Sequence, residues 1–395
     1  MLTSTLRIAL TAAGTLAATL WATSASAATL TVGPGQRYAT PCRAFAAAAS
    51  GDLIQIMAGL YKGDVCGIYA NNLRIQGIYG RARIDADGRN AMGKGTWVIV
   101  GNNIRIENVE MFGARVADRN GAALRLEGAG FTLRNSFLHG NENGILSGSN
   151  LNSDILIERS EFGHNGYGTG QTHNLYIGNV RSLTFHYNFS HDAHVGHNLK
   201  SRARTNHILY NRFSSLAPGQ TGSTLAGQPS YEIDLPNAGT SYIIGNVIEQ
   251  PAANQNAVMV SYGAEGASNP GHDLYVVNNT FLNDDTVRGT FVMVGSTVTK
   301  PVLMQNNLMS GIGAMTNQAA VISKTNFRSI APGFINRAAY DLRPTDALVI
   351  NSGSALGRSA AGLSLTPILQ YRHTAGYAVR RVDAAIDIGA LEALP

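Results

Sequence analysis

The sequence predicts an all-β chain wound as a single-stranded right-handed parallel β-helix with an N-terminal capping segment, and three observations carry that prediction. Eight short strands share one pattern, in which aliphatic alternation leads to a corner residue, most often Asn or Ser, and then to an apolar one: "IRIENVEMF", "FTLRNSFL", "ILIERSEF", "LTFHYNFS", "HILYNRF", "YIIGNVI", "LYVVNNTF" and "VLMQNNLM". The corner positions Val109, Ser136, Ser160, Asn188, Asn211, Asn246, Asn279 and Asn307 follow one another at spacings of 27, 24, 28, 23, 35, 33 and 28 residues. The chain also holds 44 glycines, which suits many tight corners. Period-two strands repeating in the twenties are what a coil with one rung per repeat produces. The five asparagines at one phase then predict a side-chain ladder that satisfies buried turn amides. An antiparallel sandwich would have the same strand count but no reason for one polar residue to recur at one phase.

Residues 1–27 combine Arg7, an apolar run from Ile8 to Trp21 and the small residues "SASA" ending at Ala27, the pattern of a secretory signal peptide. The mature chain is then expected to begin at Ala28 and to be secreted or periplasmic. Its formal charge falls from +5 to about +4 when Arg7 leaves. So mild a balance argues against nucleic acid as a partner. No later segment is apolar over the eighteen or so residues that a membrane span requires. Export makes a bridge between the two cysteines, Cys42 and Cys66, the expected state, with two buried thiols as the alternative. Next, "CRAFAAAASGDLIQIMAGLYKG" (42–63) resembles the amphipathic cap and first rung of secreted β-helix proteins of the pectate-lyase-like superfamily. Near the C-terminus, "DLRPTDALVINSG" and "DIGALE" resemble their closing segment. Residues 28–395 are accordingly expected to form one domain, acting as a monomer.

The richest stretch is "GHNLKSRARTNHILYNR" (196–212), which gathers six basic or imidazole side chains in a chain only 14% charged. In each central coil a second strand follows the ladder strand: "HNLYIG" from 173, "HNLKSR" from 197 and "YEIDLP" from 231. Leu175, Leu199 and Ile233 align as an inward stack, so strict alternation turns their neighbours outward. One outward column is then Asn174, Asn198 and Glu232, and a second is Tyr176, Lys200 and Asp234, with Arg202 alongside. Rungs lie roughly 4.8 Å apart and i,i+2 neighbours roughly 6.6 Å apart, so these side chains reach one sugar unit. His173, His197 and Tyr231 share the inward phase at the strand edge, where stacking on the core and contact with substrate are equally good readings. Arg204, His207 and Arg212 lie off both columns and are expected to be solvated. Glu265, in "SYGAEG" at the end of the following strand, is placed at the same groove. The Gly/Ser/Pro-rich insertion between Phe213 and Tyr231 either walls the groove or is merely tolerated there.

Such a patch suits β-elimination on a polysaccharide bearing uronic acids, which needs a cation to neutralise the carboxylate, a base for the C5 proton and an acid for the leaving O4. Lys200 is the candidate base, its pKa expected to fall through repulsion from Arg202; Arg202 holds the carboxylate, and Tyr176 or a histidine is the acid. Asn174, Asn198 and Glu232 offer oxygen ligands for a hard cation, with calcium the candidate cofactor and Glu232 its carboxylate ligand. "LKSRARTNHILYNRFS" resembles a motif of the chondroitinase B-like and alginate-lyase group of β-helix polysaccharide lyases, and the resemblance implies that Lys200 is the base. In the next coil that group carries arginine and histidine where this chain has Glu232 and Asp234. Those two carboxylates support an alternative, a glycoside hydrolase like the polygalacturonases. A uronate epimerase shares the proton abstraction, and a non-catalytic polysaccharide-binding protein is the remaining class. The expected partner in every case is an acidic polysaccharide.

Overall fold

The computed structural model describes residues 1, 27–215 and 228–393. Residues 2–26, most of the segment read from the sequence as a signal peptide, and residues 216–227 of the insertion before Tyr231 lie outside the described residues. No helix among the described residues is long and apolar enough to cross a membrane.

The chain winds as a parallel β-helix with three faces. The first face runs from Ile104–Glu107 to Ile322–Lys324 and the second from Val109–Phe112 to Phe327–Ser329, the two joined into one sheet by the long strands Leu53–Lys62 and Arg74–Asp85. The third face is a sheet of ten strands from Cys66–Ile68 to Ala314–Thr316. At the N-terminal end the helix Pro41–Ala47 covers the first rungs, with Phe45 edge-on to Trp97 at 5.0 Å. A disulfide joins Cys42 on that helix to Cys66 on the third face, so the cap is pinned to the first coil as expected.

The corner between the first two faces is built by a repeated pair of residues. Asn108, Asn135, Arg159, Tyr187, Tyr210, Gly245, Asn278, Asn306 and Thr325 all have φ between 47° and 69°, and each is followed directly by a corner residue. A left-handed residue swings the next backbone N–H along the helix axis, where it needs an acceptor. The corner side chain one rung on supplies it. The N–H groups of Asn188, Asn211, Asn246 and Asn279 donate to the Oδ1 of the next asparagine at 2.9, 2.9, 2.9 and 3.0 Å. Each side-chain amide also returns a bond to a backbone carbonyl, for example Asn246 Nδ2 to Ile208 O at 2.8 Å. Ser136 and Ser160 extend the ladder towards Val109. At the other end Asn307 donates to Asn326, a member that the spacing pattern had not included. Inside, the aliphatic stacks are reinforced by Phe162, Phe185 and Phe213, whose rings lie 6.1 and 5.8 Å apart on successive rungs.

The C-terminal segment, which holds the "DLRPTDALVINSG" and "DIGALE" stretches, closes the fold from the side. It runs back along the outside, packing Leu342, Ala390 and Ile388 against Val247, Leu282 and Leu308. Tyr377 tilts onto Tyr187 at 4.4 Å, and the ion pair Arg380–Glu392 locks the tail's own turn at 0% and 2% side-chain exposure. This cover overturns the solvated reading of Arg212. Its guanidinium lies 3.7 Å from the centre of the Tyr340 ring, Glu249 pairs with it, and only 3% of the residue is exposed. His207 is half-buried and stacked on Tyr242 at 4.8 Å.

Candidate functional site

The third face carries the predicted column in the predicted register. Tyr176 pairs with Lys200, Lys200 with Asp234 and Asp234 with Ser261 on successive rungs, while Leu199, Ile233 and Val260 align inside. Gly196 lets the strand enter tightly, since a Cβ there would lie 1.8 Å from the carbonyl oxygen of Thr172.

Asn174, Asn198 and Glu232 do not form an outward column, and the expectation that they bind substrate or calcium from the surface is corrected here. They are 0%, 0% and 1% exposed. Strict alternation fails because these side chains turn into the preceding corner, where Asn174 Nδ2 donates to His191 O at 2.7 Å and Asn198 Oδ1 accepts from the Ala193 N–H at 3.2 Å, so Asn198 and Leu199, though adjacent, are both fully buried. Their equivalents on other rungs, Thr96, Ala123, Met259 and Phe291, are likewise buried. The side chains form a second internal ladder at this corner. Asn165 Nδ2 donates to Asn174 Oδ1 at 2.9 Å, Asn174 Nδ2 to Asn198 Oδ1 at 2.8 Å and Asn198 Nδ2 to Glu232 Oε2 at 2.5 Å. Burial, resisted by the Asn198 hydrogen bond and reinforced by Glu249 and Asp192, lifts the Glu232 pKa well above the ordinary range. With the amide groups engaged by one another and all three side chains sealed from solvent, this donor set does not fit a calcium ion taken up from the surface.

The remaining predicted residues converge. Lys200 Nζ bonds Asp234 Oδ2 at 3.0 Å and Glu265 Oε1 at 2.8 Å. Arg202 reaches Glu265 Oε2 at 2.6 Å, the Tyr176 hydroxyl at 2.7 Å through Nε, and Asn237 Oδ1 at 2.6 Å. Glu265 therefore bridges both cations, held in place by its backbone N–H donating to Pro236 O at 3.0 Å. Asn237 was missed by sequence reasoning; its place in "YEIDLPNAG", just past the site strand, was the available signal. The patch is layered: Glu265 is 47% exposed at the side chain and Arg202 24%, over Lys200 at 10% and Asp234 at 3%.

His173 and His197, at 3% and 5% exposure, are buried beside this patch, while Tyr231 is half-buried at its margin. The backbone N–H of His197 donates to His173 Nδ1 at 3.1 Å, so that nitrogen is an acceptor, and the 2.8 Å contact between the two Nδ1 atoms takes its proton from His197. The bare His197 Nε2 then faces Asp234 Oδ2 at 3.7 Å. His173 stacks on Tyr176 at 5.7 Å, and His197 tilts against Tyr231 at 5.1 Å.

Electrostatics correct one further expectation. Burial disfavours the Lys200 ammonium, yet Asp234 and Glu265 outweigh it and raise its pKa, so repulsion from Arg202 does not prepare a neutral lysine. Burial also opposes ionisation of Glu265, but its bonds to Lys200 and Arg202 prevail and lower its pKa. Asp234 is raised by burial, with Lys200 pulling the other way. Burial, then Lys200 and Arg202, push His173 down to about 3, and His197 is lowered by burial, His173 and Lys200. The site thus holds two fixed cations, an exposed carboxylate between them and two neutral imidazoles.

No family model and no curated protein sequence matches the chain. Among solved structures, pectate lyase Pel9A superposes with a TM-score of 0.60 and 15% identity, over 93% of this chain and 97% of its own. Pectin methylesterase PemA from Erwinia chrysanthemi matches at a TM-score of 0.41 and 12% identity, over 56% and 78%, and is too distant to add to the argument. At such low identity the likeness to Pel9A carries the architecture alone: the chain is a right-handed parallel β-helix.

Proposed function

We propose that this chain is an exported enzyme that cleaves a uronate-containing polysaccharide by β-elimination on its third face, as a single domain beginning near Ala28. The observation that carries the reading is the bridging carboxylate of Glu265. Two cations grip it where a uronate carboxylate would sit, beside groups able to exchange protons. On this reading substrate displaces the Glu265 side chain, Arg202 and Asn237 hold the uronate, and its charge is neutralised as the C5 proton departs. Lys200 takes that proton to its amine, the electron pair forms the C4–C5 double bond, and Tyr176 donates its hydroxyl proton to the leaving O4. Tyr231 lines the same seat, the buried His173 backs the Tyr176 ring, and His197 and Asp234 position Lys200. Because Lys200 is charged in the free site, elimination is expected to be an alkaline activity. The disulfide agrees with export, and a pectate lyase on the same architecture agrees with a polyuronate substrate.

One observation favours hydrolysis as a second reading: Asp234 and Glu265, both bonded to Lys200, have pKa values pushed in opposite directions, as an acid and base pair requires. Glu232 does not serve as the partner of Asp234 in such a pair, since it lies inside at 1% exposure. Incubating the protein with polygalacturonate, alginate and dermatan sulfate, while following ultraviolet absorbance and reducing ends in parallel, separates the readings. Elimination gives unsaturated, absorbing ends. Reducing ends without absorbance mean hydrolysis, and silence in both with retained binding means a polysaccharide-binding protein.

A further inference from the structure

A second chemically loaded cluster lies at the corner that leads from the second face into the third. His191 ends the strand Phe189–His191, and Asp192 is the corner residue after it; one rung earlier His164 occupies the same corner after Glu161–Gly163. One ligating atom each from His164, His191 and Asp192 falls within 4.8 Å of the others. His191 Nδ1 stands 2.7 Å from Asp192 Oδ2, and the His164 ring is edge-on to His191 at 5.3 Å. The far nitrogen, His191 Nε2, faces Glu161 Oε1 at 3.2 Å. Asp192 is 0% and His191 7% exposed, while half-buried His164 forms the open side.

The backbone makes room for this arrangement. Gly163 pairs in register with His191, and a Cβ at 163 would lie 2.5 Å from His191 Cε1 and 2.6 Å from Nε2. Any other residue would therefore push the imidazole from its place between Glu161 and Asp192. A carboxylate that accepts the proton of one imidazole nitrogen fixes the ring and turns the other nitrogen's lone pair towards an ion, the usual outer partner of a metal-bound histidine. Two imidazoles and one carboxylate select a borderline first-row cation over calcium or magnesium, which prefer all-oxygen sites.

We propose that His164, His191 through Nδ1, and Asp192 form a binding site for a first-row divalent cation of the zinc type, with Glu161 orienting His191. Binding exchanges the hydrogen bond between His191 and Asp192 for one bond from each to the ion, and releases the proton that lay between them. Three protein ligands leave a fourth position for water or a substrate oxygen. The site shares no residue with the Lys200 patch and does not depend on the elimination reading.

The test is calorimetric titration of tag-free, chelator-stripped protein with zinc chloride, alongside X-ray absorption of the loaded protein. The expected result is one equivalent bound through nitrogen and oxygen ligands without sulfur, a loss of at least about tenfold in affinity for Glu161→Gln and more for His164→Ala, and no competition from calcium. Lys200→Met, which disables the proposed elimination, should bind zinc unchanged, so the two readings fail separately. His191→Ala removes a buried ring and is not relied on; half-buried His164 supplies the decisive variant. Absence of stoichiometric binding, affinity undiminished in both His164→Ala and Asp192→Asn, or equal binding of calcium would each overturn the proposal and leave a purely hydrogen-bonded histidine.

Discussion

Two polar columns run along the same three rungs, two residues apart, and they behave in opposite ways. Asn174, Asn198 and Glu232 are sealed inside and serve as one another's partners. Tyr176, Lys200 and Asp234 face out, hold the Lys200 ammonium among them and end on an exposed carboxylate from the next rung. A buried polar group must be satisfied by its own neighbours, whereas a group beneath an exposed, displaceable partner can change partners. The inner column should therefore answer for stability and the outer one for chemistry.

The sharpest way to break that division is Lys200→Met, which keeps the apolar stem. It is expected to lower turnover on the cleaved polyuronate by about 10²–10⁴-fold with an unchanged circular dichroism spectrum. If most of the rate survives, Lys200 is not the base. Next in size, Asn198→Ala strips partners from Asn174, Glu232 and the Ala193 N–H, and is expected to cost about 3 kcal/mol in denaturant unfolding while turnover per folded molecule holds. Lost activity at unchanged stability would instead put Asn198 at the substrate.

The pH profile sharpens the outer column further. A base works when deprotonated, and the Lys200 pKa is raised, so kcat/KM should climb with pH above neutrality and flatten past the lysine pKa. A profile that peaks in acid would favour Asp234 and Glu265 acting as a hydrolytic pair. Glu232 supplies the matching test inside. A buried acid with a raised pKa holds its proton in the folded state after the unfolded chain has lost it, so it erodes stability as pH rises from the ordinary glutamate range towards the folded pKa. Glu232→Gln removes that loss, and its stability relative to the unaltered protein should grow from pH 4 to pH 7 in parallel urea titrations. The smallest effect belongs to Glu265→Gln: with its charge gone from the seat, KM should fall roughly two- to fivefold, as expected for a partly exposed ion pair, and the alkaline limb should move to lower pH.

The architecture was readable because its cause is local and repeated. Each corner needs a residue that tolerates positive φ and then an acceptor for the N–H of the rung before, and that pair recurs in the sequence as "YN", "GN" and "NN". Asn326 escaped because its rung follows after 19 residues, outside the spacing of the others. The outer column was readable from the inward stack of Leu175, Leu199 and Ile233. The inner column was not, since alternation says nothing of the corner before the strand, whose backbone groups Asn174 and Asn198 bond. The charge state of Lys200 was misread for a related reason. Arg202 is its neighbour in sequence, but the decisive carboxylates stand on the following rungs, Asp234 directly opposite and Glu265 in a loop 65 residues on. Arg212 looked solvated until a tail from beyond residue 336 was laid across it.

That tail has a consequence for how the molecule is made. Tyr187, Tyr210, Tyr242 and Tyr275 stand along one side of successive rungs, and each meets a partner from residues 359–379: Tyr377 on Tyr187, the Ile368 N–H on the Tyr210 hydroxyl, Ser359 on Tyr242 and the Ala360 N–H on Tyr275. Synthesis proceeds from the N-terminus, so every one of these rungs leaves the ribosome before its cover does. For that interval the growing coil presents a stripe of aromatic rings to its surroundings, and a chain terminated after residue 330 would present it permanently. Such a truncated chain is expected to scatter light and sediment as aggregates where the chain that carries residues 331–393 stays dispersed, making a later-made segment the one that keeps the earlier ones apart.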